Sequence, residues 1–332
     1  MHPALAGLVT VILGVGGCLA YFYFSNQFLD KVLFPAKGPN AGKNINRANM
    51  VRPWLFMFPA LFVLSLYLAY PVLATFWLSL TDRDQGGAFV GLANYSQMVS
   101  EPKFWEAIRN NLVWLVVVPA VSTGFGLLAA QLTDRISWGN IAKSLIFMPM
   151  AISFVGASVI WKLIYDFRPE STEQIGVLNA IWTSFGGAPQ SWLQIAGLNN
   201  FLLMAVLIWI QTGFAMVIIS AALRGIPEET IEAAIIDGAS PVQIFFKIKV
   251  PQIMPTIVVV WTTITLVVLK VFDIVLAMTN GQVGTQVLAN YMYDKMFRSF
   301  DWGVGSASAM VIMLLVLPIL IWNVRNVRRE MR

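Results

Sequence analysis

The residues most suited to chemistry lie in a polar segment between two long apolar runs, at positions 223–252. This segment contains two triplets, Glu232-Ala233-Ala234 and Asp237-Gly238-Ala239. A carboxylate beside two alanines places a charge on a surface that another chain can approach closely, and such charges guide protein association. Because no nucleophile–base pair accompanies them, these residue types indicate noncovalent docking to a partner protein.

The same segment is predicted to form two short helices joined at a glycine. Pro227 suits the first turn of a helix. Gly238 suits its end, because glycine readily adopts the left-handed conformation that follows many helices. Ser240-Pro241 can begin a second helix. We therefore expect a compact helical element, and not an irregular connector, to carry Glu232.

A second set of residues could hold a solute, because polar and aromatic side chains within apolar runs supply the contacts that a small-molecule cavity needs. The candidates are Ser153, Trp161, Trp209, Gln211, Thr212, Phe214, Thr265, Lys270 and Asp273. Lys270 and Asp273 are three residues apart and are expected on one face of a helix. They could line the pathway or form a local ion pair near the membrane surface. The two tryptophans could equally be interfacial anchors.

Enzymatic and nucleic-acid functions lack the residues that they need. His2 is the single histidine, so we expect no catalytic set and no metal site. The sequence has no Gly-x-x-x-x-Gly-Lys-Ser/Thr phosphate loop, so any ATP-driven step requires a partner. The net charge of +5 comes without a basic stripe interleaved with stacking residues, which excludes nucleic acid as a partner.

The composition is that of a membrane protein. Of 332 residues, 58% are hydrophobic and 12% are charged, whereas soluble domains carry about 25% charged residues. Seven apolar runs can each cross a bilayer as a helix, since about 20 residues span its core and lipid cannot pair free backbone groups. These runs are 3–24, 54–80, 112–133, 144–165, 200–222, 253–277 and 303–324. The expected fold class is an all-α integral membrane protein with seven transmembrane helices.

Lysine and arginine are distributed unequally between the connecting segments. One set comprises 25–51, 134–143, 223–252 and the C-terminal tail, and the alternate set comprises 81–111, 166–199 and 278–302. The first set holds about twice as many of these residues as the second. Because cytoplasmic loops are enriched in Lys and Arg, we expect the C-terminus in the cytoplasm and the N-terminus outside.

The first apolar run stands apart from the other six. The polar stretch 37–44 follows it and is typical of a flexible linker. We therefore divide the chain into an extra N-terminal helix with its linker, residues 1–50, and a six-helix core, residues 51–332.

The spacing around Glu232 resembles the signature of bacterial ABC importer permeases. In that family, Glu-Ala-Ala is followed after three residues by Gly, and after nine more by Ile, any residue, an aliphatic residue and Pro. Here Gly238, Ile248, Val250 and Pro251 stand at the matching positions. Val250 replaces the leucine that the family favours.

The resemblance covers about residues 50–332 and is closest to the carbohydrate, maltose-type branch, in particular to alpha-glucoside permeases. A second segment of that branch, Phe-Asp…Thr-x-Gly-Gly-Pro, is similar to Phe272-Asp273 and Thr279-Asn280-Gly281. Gln282 stands where the second glycine is usual, and no proline follows.

The resemblance implies a mechanism and a set of partners. The coupling loop, 223–252, would dock on an ATPase through Glu232, Ala233, Ala234, Asp237, Gly238, Ala239, Ile248 and Pro251. The implied partners are a second homologous permease subunit, two copies of a cytoplasmic ATPase subunit, an external solute-binding protein and a carbohydrate. ATP and Mg²⁺ would bind to the ATPase, with no cofactor on this chain. The implied location is the bacterial inner membrane, crossed several times in contact with lipid.

Two other classes of function remain possible from the residues alone. A secondary transporter driven by an ion gradient usually shows paired repeats and intramembrane acids, and the apolar runs here hold few acids. A membrane anchor or signalling scaffold would move no solute at all. Uptake measurements with and without ATP discriminate among the three.

Overall fold

The computed structural model describes residues 3–82, 86–134 and 136–330. His2 lies outside the described residues, as do three of the arginines in the charge distribution, Arg83, Arg135 and Arg332. The chain divides into two compact units, Met1–Ala74 and Thr75–Arg332.

The first unit consists of two long helices. Helix α1 (Pro3–Phe28) continues as a π-helical turn, and α2 (Ala41–Leu64) continues through another π-helical turn into α3 (Tyr70–Ser79). The Tyr21 hydroxyl donates to the Leu55 carbonyl at 2.9 Å, and Arg52 pairs with Asp30 at 2.6 Å. These two contacts hold α1 against α2.

The apolar side chains of the first unit are almost all exposed. In the most apolar stretches of Leu5–Leu33 and Ala41–Ser79, none of the residues is buried. Large exposed apolar surfaces on a chain indicate contact with lipid or with another protein. Both stretches are long enough to cross a bilayer.

The second unit is almost entirely helical. A short hairpin pairs β1 (Thr81–Asp82) with β2 (Ala88–Phe89) in antiparallel orientation. The helices are α4 (Ala93–Ser100), α5 (Pro102–Thr133), α6 (Gly139–Phe147), α7 (Phe154–Ile164), α8 (Val177–Ser184), α9 (Leu198–Arg224), α10 (Glu228–Ile236), α11 (Pro241–Ile244), α12 (Val250–Gln252), α13 (Met254–Leu269), α14 (Asp273–Met278), α15 (Leu288–Tyr293) and α16 (Trp302–Glu330).

The core of this unit forms where α9 packs against α5 and α6. A methyl group on Gly126 of α5 would clash with Ala215 and lie 2.8 Å from the Met216 amide nitrogen of α9. A methyl group on Gly213 of α9 would lie 2.6 Å from the Ile146 carbonyl oxygen of α6. Small residues at these two points let the helix backbones approach closely, as is common between membrane helices.

The described residues contain five helices that are long and apolar enough to span a membrane, or up to seven spans if two bent helix pairs each count as one. The prediction of a mainly helical chain with several membrane-length helices is therefore confirmed. The predicted span over 144–165 is not one continuous helix, because Gly139–Ala151 and Phe154–Ile164 meet at 105°. The backbone becomes extended at Ile152, and Ser153 then caps a new helix by accepting from the Gly156 amide at 3.1 Å.

Candidate functional site

The loop between α9 and α13 forms two short helices joined at a glycine, as predicted. Helix α10 ends in a pair of hydrogen bonds, from the Gly238 amide to the Ile235 carbonyl and from the Ala239 amide to the Ala234 carbonyl, each 3.0 Å. Gly238 has φ +78°. This combination is the Schellman motif, which requires a left-handed residue at that position.

The second half of the coupling loop begins at a capping box. The Ser240 hydroxyl accepts from the Gln243 amide at 3.3 Å, and the Gln243 side chain accepts from the Ser240 amide at 2.8 Å. The helical backbone then runs through α11, a π-helical turn and α12 to Gln252. A bend of 70° separates it from α13. The loop is therefore internally ordered.

The surface around Glu232 is exposed and mixed in character. Glu232 and Ala233 are exposed, whereas Ala234 is buried beneath them. Ile236 is 84% exposed and Phe246 is 64% exposed. Of the other family-matched positions, Asp237 and Pro251 are exposed, and Ala239 and Ile248 are half-buried. Within the described part of the chain the Glu232 carboxylate has no hydrogen-bond partner, so this acidic, apolar surface is available to another molecule.

An ionic cluster that the sequence analysis did not identify lies at the base of the coupling loop. Asp134, directly after α5, pairs with Lys143 of α6 and with Arg224 at the end of α9, the latter at 3.0 Å. The Ser220 hydroxyl donates to the same carboxylate at 3.2 Å. Burial alone raises the pKa of Asp134, but hydrogen bonds and charge from Lys143 and Arg224 outweigh this effect and lower it. The cluster ties three helices together where the loop begins.

A cavity of about 440 Å³ brings together three of the predicted solute residues. Ser153 lies at the start of α7, Gln211 in α9 and Asp273 at the start of α14, and all three line this cavity. Phe154 and Met150 contribute apolar walls. A concave space of this size with a few polar groups is typical of small-molecule sites.

The other predicted solute residues lie elsewhere. The rings of Trp161 and Trp209 contact each other with centroids 5.8 Å apart, and both pack against the hydrophobic core, as does Phe214. The hydroxyls of Thr212 and Thr265 donate to backbone carbonyls one turn earlier in their own helices, at 2.7 and 2.8 Å. These five side chains make protein contacts and do not line the 440 Å³ cavity.

Lys270 and Asp273 do not share a helical face. Helix α13 ends at Leu269 and α14 begins at Asp273, so the two residues flank a break in the helix. The expectation of one continuous helix over 253–277 is wrong for the same reason. Both residues nevertheless border one small cavity of about 30 Å³.

Residues 279–286 follow α14 and border a second cavity of about 540 Å³. This segment is named here the hairpin loop and is separate from the β1–β2 hairpin. Asn199 donates to the Val283 carbonyl at 2.8 Å, and Asn110 donates to the Gly284 and Gln286 carbonyls at 2.9 and 2.8 Å. Both asparagines are almost fully buried. The sequence analysis missed them, although an amide side chain beside an apolar run signals a need for a buried hydrogen-bond partner.

Metal binding finds no support in the part of the chain that the structure describes. Among the residues that the structure describes, no three His, Cys, Asp or Glu side chains come together as a metal site would require. The coupling loop offers an exposed surface to a partner, and the cavities offer noncovalent contacts to a small molecule.

These features, a helix–glycine–helix loop on a bundle of membrane-length helices, agree with the comparison to known families. Residues 122–332 match the family of binding-protein-dependent transport system inner membrane components. The chain belongs to this family of ABC importer permeases. Such permeases are not enzymes, and ATP hydrolysis takes place on separate subunits.

Individual relatives make the resemblance more specific. The chain is 63% identical to the alpha-glucoside transport system permease protein AglF of Rhizobium meliloti over 99% of both chains. It is 50% identical to the osmoprotective compounds uptake permease protein GgtC of Synechocystis, over 83% of this chain and 99% of the relative. Among solved structures, a bacterial ABC transporter that imports the acidic polysaccharide alginate has a subunit with the same fold. Its TM-score is 0.73 at 18% identity, covering 86% of this chain and 98% of that one.

Proposed function

We propose that this chain is one membrane-spanning subunit of an ATP-driven importer for an alpha-glucoside or a related neutral oligosaccharide. The observation that carries the proposal is the exposed Glu232 surface, held on an ordered helix–glycine–helix loop and lacking a hydrogen-bond partner for its carboxylate in the described residues. The 63% identity to an alpha-glucoside permease supports the choice of solute.

In this proposal the coupling loop faces the cytoplasm and docks on an ATPase subunit. Glu232, Ala233 and Asp237 supply the exposed surface, and Gly238 sets the angle between the two helices. Ile248 and Pro251 complete the second helix, while Ala234 and Ala239 support the turn. Exposed apolar groups beside a charge are typical of protein interfaces with a desolvated centre.

The proposed topology has seven crossings, one for each of the seven apolar runs predicted from the sequence. The N-terminus lies outside and the C-terminus lies in the cytoplasm, in keeping with the distribution of Lys and Arg. Residues 1–50 supply an extra helix, and residues 51–332 form the six-helix core. A break in a membrane helix is tolerated where it borders a cavity, and the breaks at Ile152 and near Lys270 each border one.

The proposed partners are a second permease subunit, two ATPase subunits that bind ATP and Mg²⁺, and an external solute-binding protein. A solved alginate transporter was captured with a periplasmic protein that binds an alginate pentasaccharide. Closure of the ATPase pair on ATP would bias this chain between inward-facing and outward-facing states, since a ligand shifts the state that it binds more tightly.

The solute would enter the 440 Å³ cavity, where Ser153, Gln211 and Asp273 offer hydroxyl, amide and carboxylate groups. Lys270 lies on the adjoining small cavity with Asp273 and would assist. Trp161, Trp209, Thr212, Phe214 and Thr265 would act indirectly, by shaping the helices that carry these groups.

Reconstitution of the complete transporter in proteoliposomes tests the proposal. We expect uptake of radiolabelled maltose or trehalose that requires ATP inside, and ATP hydrolysis that rises when the binding protein and solute are added. Uptake that is indifferent to ATP and abolished by an ionophore would instead identify a secondary transporter. The absence of solute movement under both conditions would identify a scaffold.

A further inference from the structure

The second cavity, about 540 Å³ in volume, is lined by the end of α7, the segment 191–194 and the start of the hairpin loop. We propose that it is a separate binding subsite for the same hydroxyl-rich solute, passed before or occupied together with the 440 Å³ cavity. This inference rests on the proposed sugar transport. Its volume falls within the range of about 300–1,000 Å³ that is typical of small-molecule sites.

Four polar side chains of this cavity are left free by the protein. Two others are engaged, since Asp166 pairs with Arg168 at 3.7 Å and Thr279 bonds to Thr285. Lys162, Ser191, Gln194 and Gln282 all line it, and among the described residues none of these four side chains has a hydrogen-bond partner. Together they present an ammonium group, a hydroxyl and two amides. A neutral solute with many hydroxyls can pair with donors and acceptors alike, whereas an ion would need one sign of charge around it.

Aromatic surface accompanies these groups. Tyr165 and Phe167 both line the cavity. The Tyr165 hydroxyl donates a hydrogen bond to the Leu202 carbonyl at 3.1 Å, so this ring is fixed in place. Fixed aromatic rings beside free hydrogen-bonding groups are the combination that a sugar needs, because its ring has an apolar face and a polar edge.

The rim of the cavity is held in a strained conformation. Val283 has φ +56°, a value that is unfavourable for a β-branched residue. The buried Asn199 side chain holds its carbonyl at 2.8 Å, and the hydroxyls of Thr279 and Thr285 lie 2.7 Å apart across the turn. Backbone strain of this kind persists only where the surroundings enforce it, and it concentrates at ligand sites. A rim fixed before binding reduces the entropy lost on binding.

The two cavities lie at opposite ends of one helix. Ser153 at the start of α7 lines the first cavity, and Lys162 and Tyr165 at its end line the second. Eleven residues of helix separate them by about 16 Å. The chain segment that follows α13 also borders both cavities, through Asp273 and Gln282. The two cavities are therefore placed as two successive binding sites along a single path.

Protection from chemical labelling tests the subsite directly. The native thiol Cys18 is exposed, so Gln282→Cys is made in a Cys18→Ser background within the complete transporter. Whole cells are treated with a membrane-impermeant maleimide and increasing maltotriose. We expect labelling to slow to about one quarter at three times the dissociation constant, because the free site fraction follows mass action. Lys103→Cys, an exposed position that lines none of the described cavities, is the matched control and should label at a constant rate.

A second position, Ser191→Cys, repeats the measurement if the first variant is not produced. Equal labelling of either cavity position with and without maltotriose would overturn the subsite, as would the absence of labelling from outside. ATP-dependent maltotriose uptake is measured on the same cells. Retained uptake without protection rejects the subsite alone, whereas lost uptake in the parent Cys18→Ser transporter rejects the proposed function.

Discussion

The coupling loop and the hairpin loop show two ways of building a connection in a membrane protein. The hairpin loop is held by buried asparagines, which reach its carbonyls from α5 and α9. The coupling loop satisfies its own backbone through a Schellman turn and a capping box, but Ile236 and Phe246 remain exposed. The contrast supports a structural role for the hairpin loop and the proposed docking role for the coupling loop.

The largest effect should follow from Glu232→Lys. The charge reversal places an ammonium group at the position of the carboxylate in the proposed interface. A loss of about 3 kcal/mol of binding free energy, as at an interface hot spot, lowers the affinity for the ATPase roughly a hundredfold. We expect ATP-driven uptake to fall by that factor while the chain remains inserted and folded, as measured by uptake in proteoliposomes and by thermal unfolding. Glu173→Lys, at an exposed position elsewhere, should leave both unchanged. Normal uptake in Glu232→Lys would remove the distinction between the two loops.

The hairpin loop should respond in the opposite manner. Asn110→Ala removes the donor to the Gly284 and Gln286 carbonyls, and the carbonyl of the buried Gln286 loses that partner. We expect the free energy of unfolding to fall by about 2 kcal/mol, measured by denaturation of the purified protein in lipid nanodiscs. Asn140→Ala, at an exposed position of α6, is the matched control and should be neutral. An unchanged stability in Asn110→Ala would mean that the hairpin loop is not anchored as described.

A smaller effect is expected from Gly238→Ala. A methyl group at this position meets no atom within 4 Å, so the cost is the left-handed backbone alone, about 1 kcal/mol. Hydrogen exchange of the Ala239 amide should accelerate by roughly fivefold, since its bond to the Ala234 carbonyl opens more often. Gly124→Ala, within α5 and equally free of neighbours, should not accelerate exchange there. Equal exchange in both variants would show that the turn does not depend on glycine.

The smallest effect concerns Asp134, at the base of the coupling loop. Its pKa is lowered in the folded protein, so its contribution to stability is present above its unfolded pKa of about 3.9 and is lost as the pH falls through the folded value. We expect Asp134→Asn to lower the free energy of unfolding at pH 7 by less than about 1 kcal/mol.

Unfolding measured in nanodiscs at pH 7 and near pH 3 checks this prediction, because the difference from the wild type should shrink in acid. Glu173→Gln, which removes an exposed carboxylate elsewhere, serves as the control. A difference that grows as the pH falls would contradict the lowered pKa.

The parts of the fold that were predictable are those governed by local rules. The length of the apolar runs predicted membrane-length helices, and Pro227, Gly238 and Ser240 predicted the boundaries of the coupling loop because caps and turns depend on neighbouring residues. The breaks near Ile152 and Lys270 were not predictable in this way. Each replaces helical hydrogen bonds with contacts around a cavity, and a hydropathy pattern carries no information about which partners compensate.

The cavities illustrate the same limit. Ser153 caps α7, whereas Gln211 and Asp273 lie in α9 and α14. Only the fold shows that these three line one cavity while Trp161 and Trp209 contact each other. Asn110 and Gly284 are 174 residues apart in the chain. Their pairing depends on how α5 and the hairpin loop are placed, which no local spacing encodes.

The close packing of α9 has a mechanical consequence. This helix of 27 residues is about 40 Å long, and its C-terminal end leads directly into the coupling loop. Gly213, near its middle, abuts the backbone of α6 and can serve as a fulcrum. A rotation of roughly 5° about that point would displace the opposite end by about 2 Å. In the proposed transport cycle, a small displacement of the coupling loop would therefore move the far end of α9 without bending the helix.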